Sequence, residues 1–325
     1  MKDVIKKNIP EYNAQIGRTL DIKATQLKRR NFRYTAAYIS LLFLGAAFVD
    51  LGSFLSPSIS IVAGVSCTIG AFLIYTRKNS QNLTERWTYT RVISETIKSE
   101  WFKFIVGGGD YPIKSENEEE EEYYIKSLNS KIGKFIEEYR KNIQNIGGTY
   151  TDSEDIHLDD NSLAMRKATL EDRLDFYKIK RIEDQQSWYE IKSVTMKKNL
   201  KIFKLLFQGI VALGAMVGIY MWLNISNSWE LAFLEDSDFF SIAVALAFAF
   251  DAFSSINQYE RLSIAYTKSF NELTESIIEI EKPDNDISTT EAVFSEFVED
   301  VENKISIEHK SWSLTTSTKN IHNVS

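Results

Sequence analysis

Two acids stand inside otherwise uncharged apolar stretches: Asp50 within residues 34–55 and Asp251 within residues 239–256. An ionisable group there is costly and marks an ion path, a gate or a wetted edge. Both acids are therefore candidates to line or gate a pore. They equally suit interfacial positions, Asp50 at the outer end of its stretch and Asp251 at the inner end. A basic group, Lys178, Lys180, Arg181 and Lys192, is a candidate ligand-sensing set for a nucleotide phosphate, although a solvated helix face explains the same spacing. Little other chemistry is present. The single cysteine, Cys67, lies inside an apolar stretch, and the three histidines, His157, His309 and His322, are scattered, so no metal site is expected. Gly107-Gly108-Gly109 is followed by Asp-Tyr-Pro rather than Gly-Lys-Ser/Thr, which predicts a turn and not a phosphate loop. The glutamate run Glu118 to Glu122 reads as a solvated loop. No G-x-S-x-G, H-E-x-x-H, Walker or kinase pattern occurs, so a non-enzyme without a cofactor is expected.

The elements that position these residues are apolar spans. Residues 34–55 would extend about 33 Å as a helix at ~1.5 Å per residue, and residues 59–76 approach the minimum for a bilayer core of about 30 Å. Ser56-Pro57-Ser58 separates them. A second pair follows at 205–223 and 239–256, the latter rich in alanine suited to close helix contact in lipid. The fold class expected is an all-α integral membrane protein. Its four transmembrane helices form two hairpins, and amphipathic cytoplasmic helices extend from them into a helical bundle.

The flanks orient the hairpins. Lys23, Lys28, Arg29, Arg30 and Arg33 precede the first span, and Arg77 and Lys78 follow the second. Lys197, Lys198, Lys201 and Lys204 precede the third, and Arg261 follows the fourth. Neither hairpin loop holds a lysine or arginine. The N- and C-termini and the middle segment are thus expected in the cytoplasm. Residues 1–33 are polar and basic, so no secretory signal is expected. A net charge of −7 argues against general nucleic-acid binding.

Outside the spans the periodicity is helical. Trp87, Ile93, Ile97, Trp101 and Phe104 mark an exit helix, and Tyr124, Leu128, Ile132, Phe135 and Tyr139 a closing one. Residues 149–162 form an acidic connector. Leu170, Leu174 and Tyr177 open a second half. Tyr259, Tyr266, Phe270, Leu273 and Ile277 form a coiled-coil-like seam, a candidate assembly surface that would pack on preceding helices or on a neighbouring subunit. Phe294, Phe297, Val301, Ile305 and Trp312 mark a final helix, and residues 313–325 a polar tail. The halves share one plan, which predicts a duplication.

That plan resembles the SLATT family, the two-transmembrane effector domains associated with bacterial nucleotide-signalling and SLOG proteins. In the first half the resemblance rests on the hairpin, Glu85-Arg86-Trp87, Tyr89, Arg91, Glu95, Lys98, Trp101-Phe102 and Asp110-Tyr111-Pro112. In the second it rests on Leu170-Glu171-Asp172-Arg173-Leu174, Trp188-Tyr189, the hairpin and Ile307-Glu308-His309-Lys310-Ser311-Trp312. Leu262 stands where the first half has Trp87. Two tandem SLATT-like units are expected, 1–148 and 163–312. The resemblance implies an effector of antiviral (anti-phage) defence in the bacterial inner membrane. Such an effector oligomerises into a pore when a nucleotide second messenger, or a cytoplasmic sensor protein, signals infection. The consequence would be depolarisation and abortive infection. The other reading is a non-conducting scaffold or regulatory subunit that binds a cytoplasmic partner.

Overall fold

The structure, a computed structural model, describes residues 15–50, 56–113, 118–145, 158–227, 239–282, 284 and 286–321. Among the described residues every regular element is a helix. In chain order these are α1 (Gln15–Asp50), α2 (Pro57–Ser80), α3 (Leu83–Val106), α4 (Glu118–Asn145), α5 (Asp160–Arg166), α6 (Leu170–Tyr177), a π-helical segment (Lys178–Glu183), α7 (Asp184–Asn227), α8 (Phe239–Ile256), α9 (Tyr259–Glu281) and α10 (Glu291–Ile321).

Local chemistry sets several boundaries. Ser56 caps α2, accepting from the Ile59 N–H, and Pro57 takes the first helical position, where no amide donor is needed. Asp159 and Thr169 cap α5 and α6 by accepting from the Ser162 and Asp172 N–H groups at 3.0 and 3.2 Å. Gly107, at φ +83°, ends α3, and the N–H groups of Gly107 and Gly108 both reach the Lys103 carbonyl. The expected turn is present there. The glutamate run is not a loop. Glu118 to Glu122 open α4, where acids favour the positive end of the helix dipole. The connector 149–162 becomes helical from Asp160, while residues 149–157 lie outside the described residues. Helix α10 continues through most of the expected tail to Ile321.

The chain divides into two compact units that do not follow the linear halves. One comprises Met1–Lys28, Asn82–Ile191 and Ala265–Ser325; the other comprises Arg29–Gln81 and Lys192–Ile264. The first is a bundle built from both halves, with α4, α5, α6 and α10 packed on α3. Its core holds Ile97, Phe104 and Ile105 of α3, Leu128, Ile132 and Tyr139 of α4, and Phe294, Val298 and Val301 of α10. On α4, Ile136 is buried where Phe135 is only half-buried.

The second unit has the opposite pattern. On α2, Ser60, Gly64 and Ala71 are buried, while Ile59, Val62, Phe72 and Leu73 are each at least 60% exposed. Small residues bring the hairpin helices together. A Cβ at Gly45 would meet the Gly64 carbonyl at 3.1 Å, and one at Gly214 would meet the Ala243 Cβ at 3.0 Å. The Ser66, Thr68 and Thr76 hydroxyls are satisfied within their own helix, as in Thr68 donating to the Gly64 carbonyl at 2.9 Å. Phe32 of α1 meets Phe253 of α8 edge-on at 5.6 Å, so the two hairpins pack together within one chain.

Candidate functional site

Buried charge is the chemistry concentrated in the bundle. Arg181, in the π-helical segment, is fully buried and forks onto Glu302 of α10, donating from Nε at 2.8 Å and from Nη2 at 2.7 Å. The Tyr177 hydroxyl donates to the same carboxylate at 3.1 Å. Two parallel charge-assisted bonds are the strong form of this pairing. Arg181 Nη1 also lies 3.8 Å from Glu95, which pairs with Arg91 at 2.7 Å, and Arg91 pairs in turn with Asp21. The network thus threads α1, α3, the π-helical segment and α10. Burial alone would lower the Arg181 guanidinium, but Glu302 outweighs it and holds the group above its ordinary value. Burial, and then Glu302, push the Tyr177 phenol well up. Burial, and then Arg181, lower the Lys98 ammonium.

The glycine turn is the second part. A Cβ on Gly108 would lie 2.2 Å from Val298 Cγ1, and one on Gly109 would lie 2.3 Å from Glu299 Oε2. Helix α10 therefore docks directly against the turn, and the Gly109 N–H donates to the Ser295 carbonyl at 3.2 Å. Two arginines close the C-terminal end of α3. Arg173 donates to the Val106 carbonyl at 2.6 Å and pairs with Glu291, while Arg166 donates to the carbonyls of Phe104 and Tyr111. Cations are favourable at that end of a helix. Burial lowers the Arg166 guanidinium to about 10. Beside them Tyr111 donates to Glu100 at 2.8 Å, and Lys131 bridges Glu100 and Asp110, each at 2.8 Å. Burial, and then Glu100, push the Tyr111 phenol up.

Three of the residues expected to sense a ligand, Lys178, Lys180 and Arg181, do not converge. Lys178 pairs with Glu281 at 2.6 Å, Lys180 faces solvent, and Arg181 is spent on Glu302. Lys192 belongs to the other compact unit. The seam is used inside the chain. Tyr259, Tyr266 and Leu273 are buried, whereas Phe270 and Ile277 are half-buried. Tyr266 packs on Trp188 and Tyr189 at 5.4 and 6.0 Å, and Gln186 donates to Thr274 at 2.8 Å. Glu302 was not foreseen. Its signal was an acid in the apolar register of the final helix, four residues after Val298 and three before Ile305. Asp50 ends α1, and its side chain lies outside the described residues. Asp251 is exposed on α8 and lines a groove of about 580 Å³ with Phe203, Lys204, Phe250, Glu260 and Arg261. Among the described residues no group of His, Cys, Asp and Glu is arranged to hold a metal ion.

Among the described residues two helical stretches, Pro57–Val106 and Leu170–Tyr220, hold an apolar window long enough to cross a membrane. Four spans were expected and two are found among the described residues; of the other two, 34–55 includes residues 51–55, which lie outside the described residues, and 239–256 begins directly after such a segment. The apolar windows found are only 17% and 6% buried, whereas the core helix of a soluble fold is mostly buried. Residues 16–173 match the SMODS and SLOG-associating 2TM effector domain 3, and residues 177–312 match the SMODS and SLOG-associating 2TM effector domain 1. The chain belongs to the SLATT family. It carries two SLATT domains in tandem, and the matches meet at α6, just before the π-helical segment. SLATT domains are two-transmembrane effector domains associated with defence systems, which fits a membrane effector role. No curated protein and no solved structure matches the chain.

Proposed function

We propose that this tandem SLATT protein is a four-span effector of bacterial anti-phage defence that acts without catalysis. On an infection signal, carried by a nucleotide second messenger or a cytoplasmic sensor protein, it oligomerises in the inner membrane and opens a pore or otherwise breaches the bilayer. Both termini and the bundle lie in the cytoplasm. Asp50 and Asp251 line or gate the path. The observation that carries this reading is the outward apolar surface of the hairpin unit, from Ile59 and Phe72 on α2 to Met216 and Trp222 on α7. Lipid is the solvent that makes such a surface stable. In this reading the bundle fastened by buried charges is the element whose conformation the signal biases.

The test is membrane potential in bacteria expressing the protein from a tight promoter, with and without phage, read by a potential-sensitive dye and propidium entry. Collapse of the potential on infection or overexpression is expected. A potential that holds while the protein sits in the membrane refutes the pore and leaves the non-conducting scaffold or regulatory subunit.

A further inference from the structure

The groove beside Asp251 has a composition that a pore does not require. We propose that it binds the headgroup of a zwitterionic aminophospholipid, with the ammonium on Asp251 and Glu260 and the phosphate on Lys204 and Arg261. The proposal rests on the membrane placement given above but not on conduction.

Depth is the first argument. Lys204 immediately precedes the apolar run of α7. Its neighbour Phe203 stacks on Phe253 at 5.2 Å and touches Phe250 at 5.9 Å. Asp251 therefore lies level with Lys204, at the end of the hairpin where the flanking cations put the headgroup layer. The second argument is the state of Asp251. It is the only charged residue of α8, and it is exposed to the groove. Among the described residues nothing donates to it or pairs with it. A carboxylate at the edge of hydrocarbon without a counter-ion is costly, and a cation from outside the chain relieves that cost. The third is the balance of charge. Two cations and two acids line a groove floored by Phe203 and Phe250. Lys204 and Glu260 approach only to 3.5 Å, with side chains 59% and 68% exposed, so the pair is loose enough to admit a headgroup between its members. An anionic headgroup would set a further negative charge against Asp251 and Glu260. A headgroup carrying both signs presents its ammonium to the acids and its phosphate to the cations.

The experiment is native mass spectrometry of the full-length protein in detergent, titrated with phosphatidylethanolamine, phosphatidylglycerol or phosphatidylcholine. Phosphatidylethanolamine is expected to be retained at least about tenfold over the other two, because phosphatidylglycerol lacks the ammonium and phosphatidylcholine cannot donate hydrogen bonds. Asp251→Asn and Lys204→Ala are each expected to lower that retention about tenfold. Lys268→Ala, on the exposed face of α9, leaves it unchanged. Should Asp251→Asn fail to fold by circular dichroism, Glu260→Gln makes the same test. Equal retention of phosphatidylglycerol, or full retention by both folded acid variants, overturns the proposal. Retention is read on purified protein: a chain that binds the lipid but leaves cells polarised overturns only the pore. A chain that depolarises cells yet shows no preference overturns only the lipid site.

Discussion

The Arg181–Glu302 pair offers the sharpest test of the bundle. Glu302→Ala removes the two forked bonds to Arg181, at 2.8 and 2.7 Å, and the acceptor of the Tyr177 hydroxyl at 3.1 Å. Arg181 has no exposed surface from which to recover water, and Glu95, at 3.8 Å, is already engaged by Arg91. Stranding a buried charge in this way costs about 3–5 kcal/mol. Against a total stability of about 5–15 kcal/mol that is a large fraction. At about 2–4 °C per kcal/mol for a unit of this size, the midpoint of thermal unfolding should fall by about 6–20 °C. The assay is a far-ultraviolet circular dichroism melt of the detergent-solubilised protein. A second variant separates loss of the carboxylate from stranding of the cation. Arg181→Met with Glu302→Leu removes both charges at similar volume, and replacing a buried pair in this way is often neutral or stabilising. The double variant should therefore melt well above Glu302→Ala. If Glu302→Ala melts within about 2 °C of the wild type, or if the double variant is as damaged as the single one, the pair does not hold α10 as argued.

Other outcomes follow from the same geometry. Gly108→Ala places a methyl 2.2 Å from Val298 Cγ1, so α10 must shift; a loss of about 1–3 kcal/mol is expected, with partial rescue by Val298→Ala, read in the same melts. Asp110 is held below its ordinary value, first by the hydrogen bond from Lys131 and then by that residue's charge. A depressed carboxylate contributes stability above its unfolded pKa, near 3.8, and loses it as pH falls through the lower folded value. Because Asp110 is largely exposed, the contribution is less than about 1 kcal/mol. Comparing melts of wild type and Asp110→Asn at pH 7 and pH 3 should show a slightly larger acid loss in the wild type.

The sequence alone determined the local features. Period and composition marked the helices, and α8 coincides with the expected 239–256. The turn after α3, the buried face of α4 apart from Phe135, that of α10 from Phe294 to Ile305, and the family were legible because each depends on residues close together in the chain; the Trp312 side chain lies outside the described residues. The glutamate run misled because charge density was read as solvation, whereas five acids at a helix N-terminus are also favoured by the dipole.

Only the tertiary structure decided the partners. Lys178, Lys180 and Arg181 look alike in sequence, yet one pairs with Glu281, one meets solvent and one is buried on Glu302, 121 residues away. Glu291 likewise meets Arg173 across 118 residues. The seam at 259–280 showed an apolar face but not that Trp188 and Tyr189 cover it. The glycines announced a turn but not that Val298 leaves no room for a methyl. The reason is physical: helical periodicity fixes which face of a helix leaves water. Which helix it meets, and whether a charge buried there is satisfied, depends on contacts made across the fold.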